Sequence, residues 1–295
     1  MTKSEGMTKP EARSPEISVV TPSYRQWRWL RLCAASVADQ EGVDAEHIIQ
    51  DAGSGAEFST WAAGWMAEHP RARVYEEKDK GMYDAINRGF RRAEGRILAW
   101  LNCDEQYLPG TLAKVNAFFR ANPGVDVLFG DALLVSGAGE LLSYRRTVLP
   151  SLLHVRLSHL NTLSCATFVR RSVIERGLLL DDRWKTIADG VWVAAMLEAG
   201  LRMAVLAEPL SAFTILEENL GQTEVARDER ERYLRETAAS LAWMRAPVVA
   251  WHRVRKMLAG AYAKRDIATE LYTQDSPEKR KRVEAKGISF SWVRA

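Results

Sequence analysis

Hydrophobic and polar positions follow two alternating periods along the first 130 residues. Ile17-Ser18-Val19-Val20-Thr21 is a β-branched run stopped by Pro22, which predicts a buried strand running into a loop. Trp29–Ala38 has helical spacing. His47-Ile48-Ile49-Gln50 predicts a second strand, ending in Asp51-Ala52-Gly53-Ser54-Gly55. Phe58–Glu68 reads as a helix and Arg73-Val74-Tyr75 as a third strand. Met82–Ala93 reads as a helix broken by Gly95. Arg96–Leu101 predicts a fourth strand with the polar end Asn102-Cys103-Asp104-Glu105. A helix over Thr111–Arg120 and a fifth strand over Val125–Phe129 complete the series.

Strands alternating with helices predict an α/β fold with a mostly parallel sheet, because each return to the sheet needs a right-handed crossover. Ligands in such sheets lie beyond the carboxyl ends of the strands. Asp51 and Asp104 each follow a predicted strand, so both are expected at one crevice. The second half is less regular. Leu133-Leu134-Val135 and Leu141-Leu142-Ser143 flank Gly137-Ala138-Gly139 as a hairpin. A strand over Ser164–Val169, a short helix over Ser172–Arg176, a helix over Val191–Ala199 and a strand over Arg202–Leu206 follow. From Thr223 onward the chain reads as helical, interrupted at Pro247.

Composition narrows the function classes. Of 295 residues, 41 are Lys or Arg and 38 Asp or Glu, a net charge of +3 that argues against a dedicated nucleic-acid binder. The charge is uneven: residues 253–295 hold 11 basic and 5 acidic residues, a local +6 that leaves the rest at −3. Three scattered cysteines (Cys33, Cys103, Cys165) form neither a disulfide framework nor a CxxC site, which fits a cytoplasmic setting. Residues 1–16 mix charges, Ser and Pro without an apolar core, and are expected to be disordered rather than a signal.

Four groups of residues have the chemistry of a site. Asp104-Glu105 are adjacent carboxylates at a strand end, a platform for a hard cation holding a diphosphate, although an acidic pair alone is more often a solvated loop. In Asp79-Lys80-Gly81-Met82-Tyr83-Asp84-Ala85-Ile86-Asn87-Arg88, the side chains of Asp84, Asn87 and Arg88 share a helix face behind an N-terminus suited to anions. A ligand site and an ordinary polar face are about equal readings there. Asp51-Ala52-Gly53 permits close backbone approach, or is only a tight turn. Asp189 stands before an apolar helix, as an N-cap or as a general base.

The ordered set Val19-Val20-Thr21-Pro22-Ser23-Tyr24, Gln50-Asp51-Ala52-Gly53-Ser54, Asp79-Lys80-Gly81-Met82-Tyr83-Asp84-Ala85-Ile86-Asn87, Leu101-Asn102-Cys103-Asp104-Glu105 and Ile187-Ala188-Asp189 resembles glycosyltransferase family 2 over residues 17–216. The resemblance implies the GT-A fold, with a Rossmann-like sheet and flanking helices. It implies an inverting transfer of sugar from a UDP- or GDP-linked donor to an acceptor hydroxyl, with bacterial surface or exported polysaccharide as the product. The alternative is a non-catalytic nucleotide-sugar or carbohydrate-binding protein on the same fold. Thr21, Pro22, Tyr24, Asp51, Lys80, Gly81, Asp84, Asn87 and Asp104 would then bind the nucleotide sugar. Asp104 and Glu105 would hold Mg2+ or Mn2+, and Asp189 would take the acceptor proton. The sequence departs from the family at Glu105, where Asp is usual, and at Ala52 and Ala188. Cys103, a soft atom beside a hard cation, is read as packing.

The resulting division is a catalytic domain over 17–220, with a donor half at 17–131 and an acceptor half at 132–220, and a helical, basic extension over 221–295. Asn161–Phe168 is expected beside a saccharide or lipid-linked saccharide acceptor. A sugar ring could stack on Trp184 or Trp192, with core packing the expected role of Trp192. Trp243, Trp251, Met257 and Leu258 interleave with Arg245, Arg253, Arg255 and Lys256. That pattern suits either a helix packed back on the domain or peripheral contact with the inner face of a membrane. Lys279-Arg280-Lys281-Arg282 reads as a solvated basic face.

Overall fold

A computed structural model describes residues 14–216 and 224–290. The expected disorder of 1–16 lies outside the described residues as far as 13. From there the chain is in place, with the Glu16 carboxylate reaching Arg96 and Arg120 at 3.2 and 3.1 Å.

The predicted β/α alternation is present. Strands β1 (Ile17–Ser23), β2 (Ala45–Asp51), β3 (Ala72–Glu76) and β4 (Ile97–Trp100) run parallel in the order β3-β2-β1-β4. Helices α1 (Trp27–Ala38), α2 (Ala56–Glu68) and α3 (Met82–Arg92) are the crossovers. A three-residue strand β5 (Glu105–Tyr107) and helix α4 (Thr111–Ala121) follow. The sheet then becomes mixed. β6 (Val127–Ser136) folds back as a hairpin with β7 (Leu141–Arg145). Strands β8 (Thr167–Arg170) and β9 (Met203–Ile215) complete the order β4-β8-β6-β9-β5. β8 is antiparallel to both neighbours, whereas β6 and β9 are parallel.

β1 is buried along its whole length, because both sheet faces are covered. Val20 packs with Ile86, Phe90, Trp100 and Trp192 on one face. Val19 packs with Leu112, Val115, Phe119 and Phe168 on the other. Gly89 lets α3 lie directly on β1, since a Cβ there would meet Val20 Cγ1 at 2.3 Å.

Between β7 and β9 lie the helices α5 (Leu152–Leu157), α6 (Arg171–Glu175) and α7 (Ala188–Glu198). Asp189 is the second residue of α7, so it is not the N-cap. After residue 223 come α8 (Glu224–Ala238), a 3-10 turn at Ala239–Met244 and α9 (Arg245–Leu258). Pro247 sits in the first turn of α9, where its missing N–H is not needed, so it begins a helix rather than interrupting one.

The helical reading of the extension fails after α9. Arg265–Thr273 (β10) and Ser276–Ile288 (β11) form an antiparallel hairpin. Ile267 and Leu271 recur at even spacing, a strand period, and pack with Val283 and Ile288 against Leu133, Val135 and Tyr144. The basic run is not simply solvated either. Arg280 is nearly buried and pairs with Asp39 at 2.5 Å, just past α1, while also donating to the Tyr107 carbonyl.

Candidate active site

One cavity of about 1470 Å³ opens at the carboxyl ends of β1 and β4 and extends under α8 and α9. Pro22, Tyr24, Gly81, Asp104 and Asp189 line it, five of the residues picked out from the sequence. The cysteine thiol of Cys103 donates to the Pro22 carbonyl at 3.2 Å and so ties the β1 and β4 loops together. Cys103 is therefore a packing element with its sulfur turned to the backbone.

Asp79, Asp104 and Asp189 are the acidic residues of the cavity lining, and the last two come from opposite halves of the chain. Asp104 sits in the turn between β4 and β5, where the Thr214 hydroxyl of β9 donates to its carbonyl. Asp189 lies in the first turn of α7 and accepts from the Gly190 N–H at 2.8 Å. Burial raises the Asp189 carboxyl to about 6, with the nearby Arg230 pulling weakly the other way. Burial also raises Asp104. The Tyr83 hydroxyl lies at the backbone of Ala188 and Asp189, bracing the start of α7.

Other sequence candidates are engaged within the protein in this conformation. The Thr21 hydroxyl is buried against His47 Nε2 at 2.9 Å. Asp51 accepts from the Gly53 N–H, the Ser54 N–H and the Ser54 hydroxyl, which holds its own turn. Asp84 reaches back from the first turn of α3 to accept from the Lys80 N–H at 3.0 Å, and pairs with Arg88 at 2.9 Å. The Gly81 N–H donates to Asp79, so acids of this chain hold the loop that leads into α3. Asn87 clamps Leu180 through both its backbone groups. Trp184 and Trp192 are both core residues, at 3% and 2% exposed, so neither offers a face to a sugar. Trp192 instead packs on Trp100 and Phe90.

Glu105 is fully buried at the start of β5. One carboxylate oxygen accepts from the Asn102 N–H at 2.7 Å and the other has no hydrogen-bond partner. Burial, then the charge of Asp104, raises its carboxyl. Among the described residues no three His, Cys, Asp or Glu side chains converge as a metal cage. Of the two acids expected to hold a metal, Asp104 faces the cavity and Glu105 does not. That suits a Mg2+-type ion taking most of its oxygens from a bound diphosphate and water.

The acceptor end was only partly legible. Asn161–Ser164 lines the cavity, as expected, together with His159. The basic lining has no counterpart among the sequence motifs: Arg145 from β7, Arg156 from α5, Arg230 from α8 and Arg245 from α9. These residues are spread over 100 positions and share no motif. Only the packing of α8 and α9 on α5 brings them together. Burial lowers His159 to about 4, assisted by Arg145, Lys256, Arg230 and Arg245.

The match to known proteins agrees with this geometry. The family model for glycosyl transferase family 2 matches residues 18–172. A PGL/p-HBAD biosynthesis glycosyltransferase of Mycobacterium bovis is 33% identical over 127 residues, 42% of this chain and 49% of that protein. Chondroitin synthase of Escherichia coli is 26% identical over 44% of this chain and 19% of its own length. The chain thus spans about half the length of the first of these relatives, and less of the second. S. aureus TarS with UDP-GlcNAc superposes with a TM-score of 0.61 at 19% identity, covering 82% of this chain and 73% of TarS. The mannosyltransferase PcManGT from Pyrobaculum calidifontis, with GDP-Man and Mn2+, gives 0.53 at 16% identity, over 84% and 81%. The likeness in fold spans both halves of the sheet, the family model covers more than half of the chain, and this protein belongs to glycosyl transferase family 2.

Proposed function

We propose that the cavity transfers a sugar from a nucleotide-sugar donor to an acceptor hydroxyl with inversion. The observation that carries this reading is the shared lining by Asp104 and Asp189, one from each half of the chain. The ligands in the TarS and PcManGT structures, UDP-GlcNAc and GDP-Man, support a UDP- or GDP-linked donor. Pro22, Tyr24 and Gly81 would bound the nucleotide side, with the exposed Lys80 beside Gly81, while the buried Asp51 would hold the shape of the turn next to them.

The acceptor oxygen attacks the anomeric carbon as the bond to the diphosphate breaks, and the nucleoside diphosphate leaves with the electron pair. Asp189 takes the proton of the attacking hydroxyl. A carboxyl with its pKa raised to about 6 is still ionised at neutral pH, yet more basic than an exposed one. Asp104 would hold Mg2+ or Mn2+ together with the donor, and that ion supplies neutralisation of the leaving charge. Glu105 would sustain the loop from beneath.

The arginines at the far end favour an acceptor that carries an anionic group such as a phosphate. The names of the relatives, a PGL/p-HBAD biosynthesis glycosyltransferase and a chondroitin synthase, favour a role in polysaccharide assembly. The test is a thermal-shift panel of UDP, GDP and their sugars with Mg2+ or Mn2+, followed by donor hydrolysis. Stabilisation by one nucleotide series with slow sugar release supports transfer. Binding without any release supports the non-catalytic alternative, and no stabilisation by either series removes both.

A further inference from the structure

Helix α9 is packed with its polar edge inward. His252 is its one buried residue, Lys256 lies over the Phe290 ring, and Arg255 donates to the Leu149 carbonyl at 2.7 Å. Pro247, Ala250, Trp251, Val254, Met257 and Leu258 recur at i, i+3, i+4, i+7, i+10 and i+11, which is one helix face. All six are exposed, Trp251 at 62%, Met257 at 61% and Leu258 at 76%. Trp243, in the turn before α9, adds a further indole at 75% exposed. Scattered apolar side chains at a surface need no explanation, but a continuous stripe along three turns of one helix does.

We propose that this outward face of α9 rests on an anionic lipid bilayer. Two properties choose that occupant. Tryptophan is enriched where an apolar phase meets water, because its ring is apolar and its N–H is polar. The stripe is also edged by Arg253, which forms no ion pair among the described residues, and α9 as a whole carries four basic residues and no acidic one. A two-fold contact between copies would bring those cations together, whereas anionic headgroups neutralise them. No helix of the described residues is long and apolar enough to cross a membrane, so the contact is interfacial. It places the arginine end of the cavity, where Arg245 of α9 lines the wall, on the side of the molecule that faces the lipid. The docking surface does not depend on the transfer reaction.

Flotation of the full chain with phosphatidylcholine vesicles, with and without phosphatidylglycerol, tests the proposal. The protein floats with the anionic vesicles. The double substitution Trp251→Ser/Leu258→Ser weakens that binding about tenfold or more while leaving the melting temperature and the nucleotide-sugar thermal shift unchanged. Arg253→Glu weakens it with the same controls. Failure to float with either vesicle overturns the proposal, as does flotation of the double variant equal to that of the parent. Concentration-dependent dimerisation without lipid, abolished by the double substitution, would assign the face to a second copy instead.

Discussion

Asp104 and Glu105 are chain neighbours whose carboxylates serve opposite sides of one loop. Asp104 lines the cavity, and Glu105 is buried behind it, accepting from the Asn102 N–H at 2.7 Å. Asp104 belongs to the turn before β5 and Glu105 opens the strand, so the two side chains leave the chain on different sides. A metal held with the donor would therefore depend on the first acid alone. Asp104→Asn should lower Mn2+ affinity in the presence of nucleoside diphosphate by about tenfold or more. Glu105→Gln keeps an acceptor for the Asn102 N–H and should leave that affinity within about threefold. Titration calorimetry reads both, and an equal loss in the two variants would return Glu105 to the metal.

Asp189 sets the expected pH dependence. Burial raises its carboxyl to about 6, so the base is ionised above that pH and protonated below it. The rate constant kcat/KM for the acceptor should fall as pH drops through about 6, because the proton-accepting form is lost. Asp189→Asn should reduce turnover by about 10²-fold or more with donor binding retained. A variant that keeps near-normal turnover would take the general-base role away from Asp189.

The donor half was legible because each of its elements satisfies a local rule. The apolar runs of β1 and β4 are buried on both faces, and Gly81, Asp51 and Asp104 stand where strands or helices end. What could not be read was where side chains point once packed. Asp84 and Asn87 share a helix face with ligand-binding character, yet they bond Lys80, Arg88 and Leu180 of this same chain. The hairpin β10–β11 was masked by charge: Arg280 and its basic neighbours hide the even spacing of Ile267 and Leu271. The basic acceptor wall has no local signature, because its four arginines arrive from four different elements.

Arg280 shows what the hairpin depends on. Its guanidinium pairs with Asp39 and donates to the carbonyls of Tyr107 and Glu270, with the side chain only 8% exposed. Arg280→Ala leaves those acceptors unmatched in a partly buried place and should cost about 2 kcal/mol. Chemical denaturation measures the loss. Lys281 pairs with Asp275 at the surface, and Lys281→Ala should change stability by less than about 0.5 kcal/mol. Equal effects of the two would show that the hairpin is held by its apolar side alone.

Helix α9 is attached through a histidine stack. His252 lies face to face with His154 of α5, ring centroids 3.8 Å apart, and His159 meets His154 edge-on at 5.1 Å. Burial lowers His154 to about 3 and His252 to about 4, with Lys256 and Arg255 adding to the effect on His252 and Arg255 on His154. Unfolded histidine titrates near 6.5, so between that value and about 4 the unfolded chain binds more protons than the folded one. Stability is full above pH 6.5 and is lost as pH falls below it. The melting temperature should drop from pH 7 to pH 5, with amide exchange in α9 rising first. His252→Gln should flatten that slope, and an unchanged slope would place the titrating groups elsewhere.

The arginine wall makes a prediction separable from the chemistry. Arg245 belongs to α9, lines the cavity, and forms no ion pair among the described residues. If it meets an anionic group on the acceptor, Arg245→Ala should raise the acceptor KM by about tenfold, with kcat changed little, because the contact is made in both ground and transition states. Arg245→Lys keeps the charge but not the two-pronged geometry, and should fall between the two. The donor KM should stay constant, since Arg245 stands at the far end from Pro22 and Tyr24. Raised ionic strength should weaken acceptor binding in the parent more than in Arg245→Ala. A fall in kcat with KM unchanged would mean that Arg245 instead positions the reacting groups.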